Sequence, residues 1–247
     1  MIKNKGLLPS PQGIRDYDYF VVCGSSNEEL PSSFQLPIDK YADVLNQYNY
    51  MACCGFSLAT AQEYHHYKTL GEKVSYSPWY SYAHPENRLN YMGMGMYLKD
   101  AVKGTLKSGF VPLNLFDIEK EMPELYDYIV NRDDLTEIGK LNAPTAYVSL
   151  NYANKEKKIR AIKEALYYGG EPLIVASYKY FGGSHCILIY GWDDDKVLAK
   201  YGKSDKVFNF RTSYGKEYKN NGNGDIPLSQ LNEIYQFFFK DIELKFD

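Results

Sequence analysis

Residues 45–57 read LNQYNYMACCGFS and set two adjacent cysteines, Cys53 and Cys54, before a glycine and a phenylalanine. The sequence that follows has a helical pattern. Through CCGFSLATAQEYHHYKTL, the residues Phe56, Ala59, Ala61 and Tyr64 recur near helical spacing with small residues between them. Tyr48 and Asn49 read as turn residues ahead of this helix. A cysteine in the first turn of a helix faces exposed amides and the positive end of the helix dipole, which stabilise a thiolate. Used as a nucleophile, that thiolate needs an imidazole partner and donors for a developing oxyanion. Three readings of the cysteine pair compete: a metal site, half of a disulfide pattern, or a nucleophile.

The rest of the chain narrows these readings. It has 247 residues, enough for one large domain or two small lobes, and its 45% apolar and 24% charged residues are those of an ordinary globule. A net charge of −3 gives no electrostatic reason to expect nucleic acid. The 25 tyrosines select no function. The opening MIKNKGLLPSPQGIRDYDY has no apolar core of a secretion signal, and no stretch approaches membrane-spanning length, so synthesis in the cytoplasm is expected. Four cysteines, two of them neighbours, are too few and too clustered for a disulfide scaffold. A zinc site from Cys53, Cys54, His65 and His66 lacks paired-ligand spacing, and Asp193–Asp195 read as a turn rather than a calcium loop. No metal and no cofactor is expected.

The patterning divides the chain. Residues 1–30 are expected to form an extended arm, with a strand at DYFVVC. Helices are expected over MYLKDAVKGTLKSG with Gly109 as the stop, over about 118–130, and over KEKKIRAIKEALYYGG. After residue 170, EPLIVASYKY, SHCILIYGW, KVLAKYG and KVFNFRTSYG read as strands, and KNNGNGD as a turn. The implied class is α+β: a helical lobe over about 50–150 and a β-rich lobe over about 170–247, within a domain spanning 31–247. Of the four histidines, His65 and His66 lie too far along the cysteine helix to reach Cys53, and His84 sits in a loop before Pro85. His185, opening a strand of the β-rich half, can face a helix N-terminus across a cleft.

With these residues in place, the sequence resembles the papain-like cysteine peptidases. LNQYNYMACCGFS resembles their nucleophile segment, with Gln47 six residues before Cys53 and Gly55, Phe56 and Ser57 in register. GGSHCILIYGWDDD resembles their histidine strand, and FRTSYGKEYKNNGNGDIPL the segment after it. MGMGMYLKDAVKGTLKSGFVPL resembles the glycine-bearing segment and second helix of bacterial and phage members. The resemblance implies a two-lobe fold with a central Cys-bearing helix, a β-barrel-like lobe and the active site in the cleft between them. It further implies Cys53 as nucleophile, His185 as acid–base partner and Gln47 as oxyanion donor beside the Cys53 amide. Gly93, Gly95 and Ser184 would line the cleft for a peptide or protein substrate. Cys54 is expected to pack inside the helix.

Three positions depart from the family pattern. Thr212 replaces the Asn that usually orients the histidine, Tyr214 replaces the Trp that usually shields it, and Tyr50 stands where secreted members carry a disulfide cysteine. Thr212 can accept a ring N–H, with a shorter reach than a carboxamide. Asn209, three residues away on a strand, is expected to point elsewhere. No long inhibitory pro-segment is expected. The opening GLLPSPQGIRDYDY resembles the entry segment of prophage members encoded beside tail genes, which implies a virion or tail-like particle as one setting. The expected function is a thiol endopeptidase. The alternatives are a weak or inactive papain-like module serving as a structural component, and a cell-wall amidase or peptidase.

Overall fold

The computed structural model describes residues 7–10, 16–89 and 93–240. In chain order, a short strand β1 (Leu7–Leu8) and a one-turn helix α1 (Tyr19–Cys23) precede strand β2 (Ser33–Gln35) and helix α2 (Ile38–Tyr41). The long helix α3 (Cys53–Leu70) is followed by α4 (Pro78–Ala83), strand β3 (Met96–Tyr97), α5 (Leu98–Ser108), α6 (Glu124–Ile129) and α7 (Asp133–Leu141). Strand β4 (Ala146–Ser149) and helix α8 (Lys155–Tyr167) lead into strands β5 (Leu173–Ser177), β6 (His185–Asp193), β7 (Val207–Arg211), β8 (Asn223–Pro227) and β9 (Glu233–Phe238).

Seven strands form one antiparallel sheet in the order β4-β9-β5-β6-β7-β8, with β2 added alongside β6. Alternation along the central strands explains how it is held. Ile174 and Ala176 of β5, Cys186 and Leu188 of β6, and Tyr235 and Phe237 of β9 join a core built mainly from α3, α4 and α5. Their neighbours Leu173 and Val175, Ile187 and Ile189, and Ile234 turn the other way, into a core with Ala161, Ile162, Ala165 and Leu166 of α8. A sheet covered on both faces must be apolar at both parities, which is why these strands read as continuous apolar runs.

The sheet therefore lies between α8 and a helical lobe whose centre is α3. From Cys53 to His65 every residue of α3 is buried, polar ones included. The small side chains at its start allow close approach. A Cβ at Gly55 would lie 2.4 Å from the Pro78 carbonyl oxygen and 2.9 Å from the Tyr82 Cβ. One residue on, Phe56 meets the edge of Trp79 at 5.1 Å between ring centres.

Caps set the ends of the outer helices. Gly109, at φ 63°, ends α5 as its position suggested. Asn154 caps α8 by accepting the Lys157 N–H at 2.7 Å. Because this cap is exposed and contacts no part of the cleft, Asn154→Ala should lower stability by about 1 kcal/mol and leave the lobes intact. Urea unfolding followed by circular dichroism measures this.

Four local expectations are corrected. DYFVVC is a helical turn, not a strand, because the Asp18 carboxylate accepts the Phe20 and Val21 amides and caps α1. Arm residues 1–6 and 11–15 lie outside the described residues. The helix expected over 118–130 starts only at Glu124, following Pro123, and a separate helix α7 comes after it. KVLAKYG is a turn, with Asp193 accepting the Asp195 and Lys196 amides and the Tyr201 and Gly202 amides bonded to Leu198. KNNGNGD is a turn only as far as Gly222, since β8 starts at Asn223. Among the described residues no helix is long and apolar enough to cross a membrane.

Candidate active site

The site is assembled where the start of α3 meets the start of β6. Cys53 is the first residue of α3, and no side chain caps that helix end, so the dipole and first-turn amides act on the sulfur. His185 is the first residue of β6 and pairs across the sheet with Ser177 of β5. Both are fully buried, and the His185 imidazole acts on the Cys53 thiol at close range. Burial alone would push the Cys53 thiol up. The Cys54 thiol, the imidazole of His185 and the Cys186 backbone N–H outweigh it and bring Cys53 down to about 5. Cys54 moves the opposite way, well above the ordinary thiol range, through burial and its thiol neighbours Cys186 and Cys53. Two adjacent residues of one type thus differ sharply in acidity because only one faces the histidine.

The far side of the imidazole is held as well. His185 Nε2 lies 2.7 Å from Thr212 Oγ1, and the Thr212 amide is anchored on the Gly222 carbonyl at 2.9 Å. The Tyr214 ring stacks on the imidazole at 4.2 Å between centres and 22° between planes, and Phe181 meets it edge-on at 4.9 Å. Burial, and then the nearby Cys53 charge, raise the Tyr214 phenol, which stays neutral. Asn209 lies away from the imidazole, as the strand alternation required. Its side chain accepts from Gln35 and donates to Asp225.

Gln47 is buried and tied to the β-rich lobe. Its backbone N–H donates to the Ser213 carbonyl at 2.9 Å, and its Oε1 accepts from the Ser213 hydroxyl at 2.6 Å. Its Nε2 donates to the Tyr50 carbonyl at 2.7 Å. Flanking pairings, Asn46 with Tyr214 and the Gly215 amide with the Leu45 carbonyl, make the whole turn a strap across the lobes. Ser213 is the residue that sequence reasoning missed. Its only sequence cue is its position beside Thr212, and its task depends on a loop arriving from the other lobe.

Gly93 and Gly95 belong to a segment organised by buried Arg88, whose guanidinium donates to the carbonyls of Gly93, Gly95 and Tyr82. The Gly95 N–H donates to the Tyr82 hydroxyl at 3.2 Å, which links this segment to the α3–α4 contact at Gly55. The strand just after it, β3, is paired in parallel by β1. Ser184 is half-buried immediately before His185.

The other histidines are occupied elsewhere. His65 bonds Glu171 and stacks on Phe239, His66 bonds Tyr76, and His84 bonds Thr136 and caps the turn at Glu86. Among the described residues no group of acidic, His and Cys side chains is placed to hold a metal ion. Asp194 is paired with Lys163 and Lys206 rather than open to a cation. The arrangement can hold a thiolate against an imidazole, keep that imidazole oriented from behind, and present amide donors at the start of a helix.

No protein-family profile matches the sequence, and no curated protein does. Solved structures do match in fold. Xylellain, a cysteine protease from Xylella fastidiosa, superposes with a TM-score of 0.71 at 18% identity, over 96% of this chain and 97% of that one. Digestive procathepsin L2 proteinase from the larval midgut of Tenebrio molitor gives 0.68 at 16%, over 96% and 78%. The Amb a 11 cysteine protease of ragweed pollen, in its proform, gives 0.63 at 12%, over 90% and 70%. The fold is therefore the two-lobe papain-like one, with a helical lobe against a many-stranded antiparallel sheet.

Proposed function

We propose that the protein is a cysteine peptidase that hydrolyses peptide bonds through Cys53 and His185. One observation carries this reading: Cys53 at the uncapped start of α3 and His185 at the start of β6 meet in one buried place, with the imidazole held from behind by Thr212 at 2.7 Å, and the imidazole lowers the Cys53 thiol while burial raises its neighbour Cys54. A thiolate present well below neutral pH is what acyl transfer needs and what a structural cysteine does not. In the proposed reaction Cys53 attacks the substrate carbonyl, and the Cys53 amide with the Gln47 carboxamide stabilises the oxyanion. His185 delivers its proton to the leaving amine, then draws one from the water that opens the thioester. The Gln47 nitrogen carries two hydrogens. One goes to the Tyr50 carbonyl; the other serves the oxyanion. Ser213 sets the direction of that amide by holding its oxygen.

Thr212 serves as the group behind the histidine, in place of the family's carboxamide. Its Oγ1 accepts from Nε2, which leaves Nδ1 for the sulfur. Thr212→Val keeps the shape and deletes the acceptor, so hydrolysis of a broad fluorogenic peptide library should fall about tenfold. Thr212→Asn should retain or raise the rate. Full activity in Thr212→Val would remove Thr212 from the mechanism. No turnover by the wild type or by either variant, with Cys53 still reactive to iodoacetamide, would favour a structural module on the same fold.

A further inference from the structure

Three of the four cysteines are gathered at one point. Cys53 and Cys54 open α3, Cys186 follows His185 on β6, and all three are fully buried in the same core. Cys54 adjoins Cys53 in the chain and neighbours Cys186, which lies one residue beyond His185 on the strand that packs against α3. The fourth, Cys23, is exposed on α1. The peptidase reaction uses one thiol of the three, and the other two could serve as small apolar filling. Their chain of contacts, however, runs from the reactive sulfur across the junction of the lobes.

We propose that Cys54 and Cys186 form a resolving pair that carries oxidation away from Cys53, so that a hydroperoxide leaves a buried Cys54–Cys186 disulfide and a restored Cys53 thiol. This rests on the reading of Cys53 as the reactive thiol. In the first step the Cys53 sulfur attacks one oxygen of the hydroperoxide, the O–O bond breaks, and Cys53 becomes a sulfenic acid with release of water (or of an alcohol from an organic hydroperoxide). The Cys54 sulfur then displaces the hydroxyl, and its proton leaves with it as a second water. The product, a bond between neighbours in the first turn of a helix, is strained and short-lived. Cys186 attacks its Cys54 sulfur, the Cys53–Cys54 bond breaks, and the Cys186 proton passes to the Cys53–His185 pair. In sum two thiols are oxidised to one disulfide and one peroxide is reduced. Hydrogen peroxide is smaller than any peptide the site must admit.

The test treats the full chain with hydrogen peroxide, blocks free thiols with iodoacetamide, and maps unreduced digests by mass spectrometry. The wild type should give a Cys54–Cys186 link, Cys53 carbamidomethylated, and little Cys53 sulfinic acid. Cys186→Ala should lose the link and raise Cys53 sulfinic acid at least about tenfold. Cys54→Ala should do the same, with urea unfolding to check that both variants remain folded. Exposed Cys23 is an internal control for unassisted oxidation. Equal sulfinic acid at Cys53 in the wild type and both variants, with no link, would overturn the resolving pair and leave the peptidase reading standing. Failure of unoxidised Cys53 to take iodoacetamide at all would overturn both.

Discussion

His185→Ala should lower peptide hydrolysis by roughly a thousandfold or more, because the same ring both activates the thiol and protonates the leaving amine. It should also change the pH dependence of alkylation in a calculable direction. In the native protein Cys53 is held at about 5, so iodoacetamide labelling should stay level down to about pH 6 and fall below it. Without the imidazole, its contact and its charge are lost, and burial, the largest influence, is opposed only by Cys54 and the Cys186 backbone N–H. Labelling at pH 6 should then drop by at least about a hundredfold, since the thiolate fraction falls tenfold for each unit of pKa above ambient pH. At pH 10 the two proteins should differ far less. A variant that labels normally at pH 6 would show that the imidazole does not control the sulfur.

Gly55→Ala should be the most damaging single-methyl change near the site. The added carbon would sit 2.4 Å from a main-chain carbonyl at Pro78, which no rotamer can move aside. Relief requires α4 to shift away from α3, carrying Tyr82 and its bond to Gly95 with it. A loss of about 3 kcal/mol is expected, at the upper end for overpacking. Activity should fall further than the unfolded fraction explains, because Cys53 lies only two residues away. Denaturant unfolding and turnover by the folded fraction measure the two effects separately. A stability within about 0.5 kcal/mol of the wild type would mean that the two helices are not tightly packed at that point.

How much of this was legible beforehand depends on where each residue obtains its meaning. Cys53 opens α3 and His185 opens β6, and their residue types carry chemistry at such positions, so local reading singles them out, whereas Gln47 and Thr212 stand out only through the resemblance to the family's motifs. Ser213 becomes meaningful only when the turn at Gln47 crosses from the other lobe, a contact between residues distant in the chain. β8 was hidden for a related reason. Its Asn and Gly composition reads as a turn, yet Asn223 is held by Arg211 and Asp39, and this tertiary contact overrides composition. The Val21 and Val22 of DYFVVC favour a strand, yet the Asp18 carboxylate at the head of the same run caps a helical turn, and a cap of one residue outweighs that propensity here. The dependence of the glycine segment on Arg88 is not legible in the sequence, since that pairing appears only once the loop is folded.

The strap between residues 45–47 and 213–215 has a bearing on how the chain behaves before it is finished. The proposed nucleophile Cys53 and oxyanion donor Gln47 come from the first part of the chain, while His185, Thr212 and Ser213 come from the last third. A nascent polypeptide that has emerged only as far as α3 has the helix start and Cys54 beside the sulfur but no imidazole to pair with it. The same holds for a molecule whose lobes have come apart through heat or damage. On the proposed mechanism the reactivity of Cys53 is conditional on docking, since the imidazole and the threonine behind it reach the sulfur only when the sheet has been laid against α3.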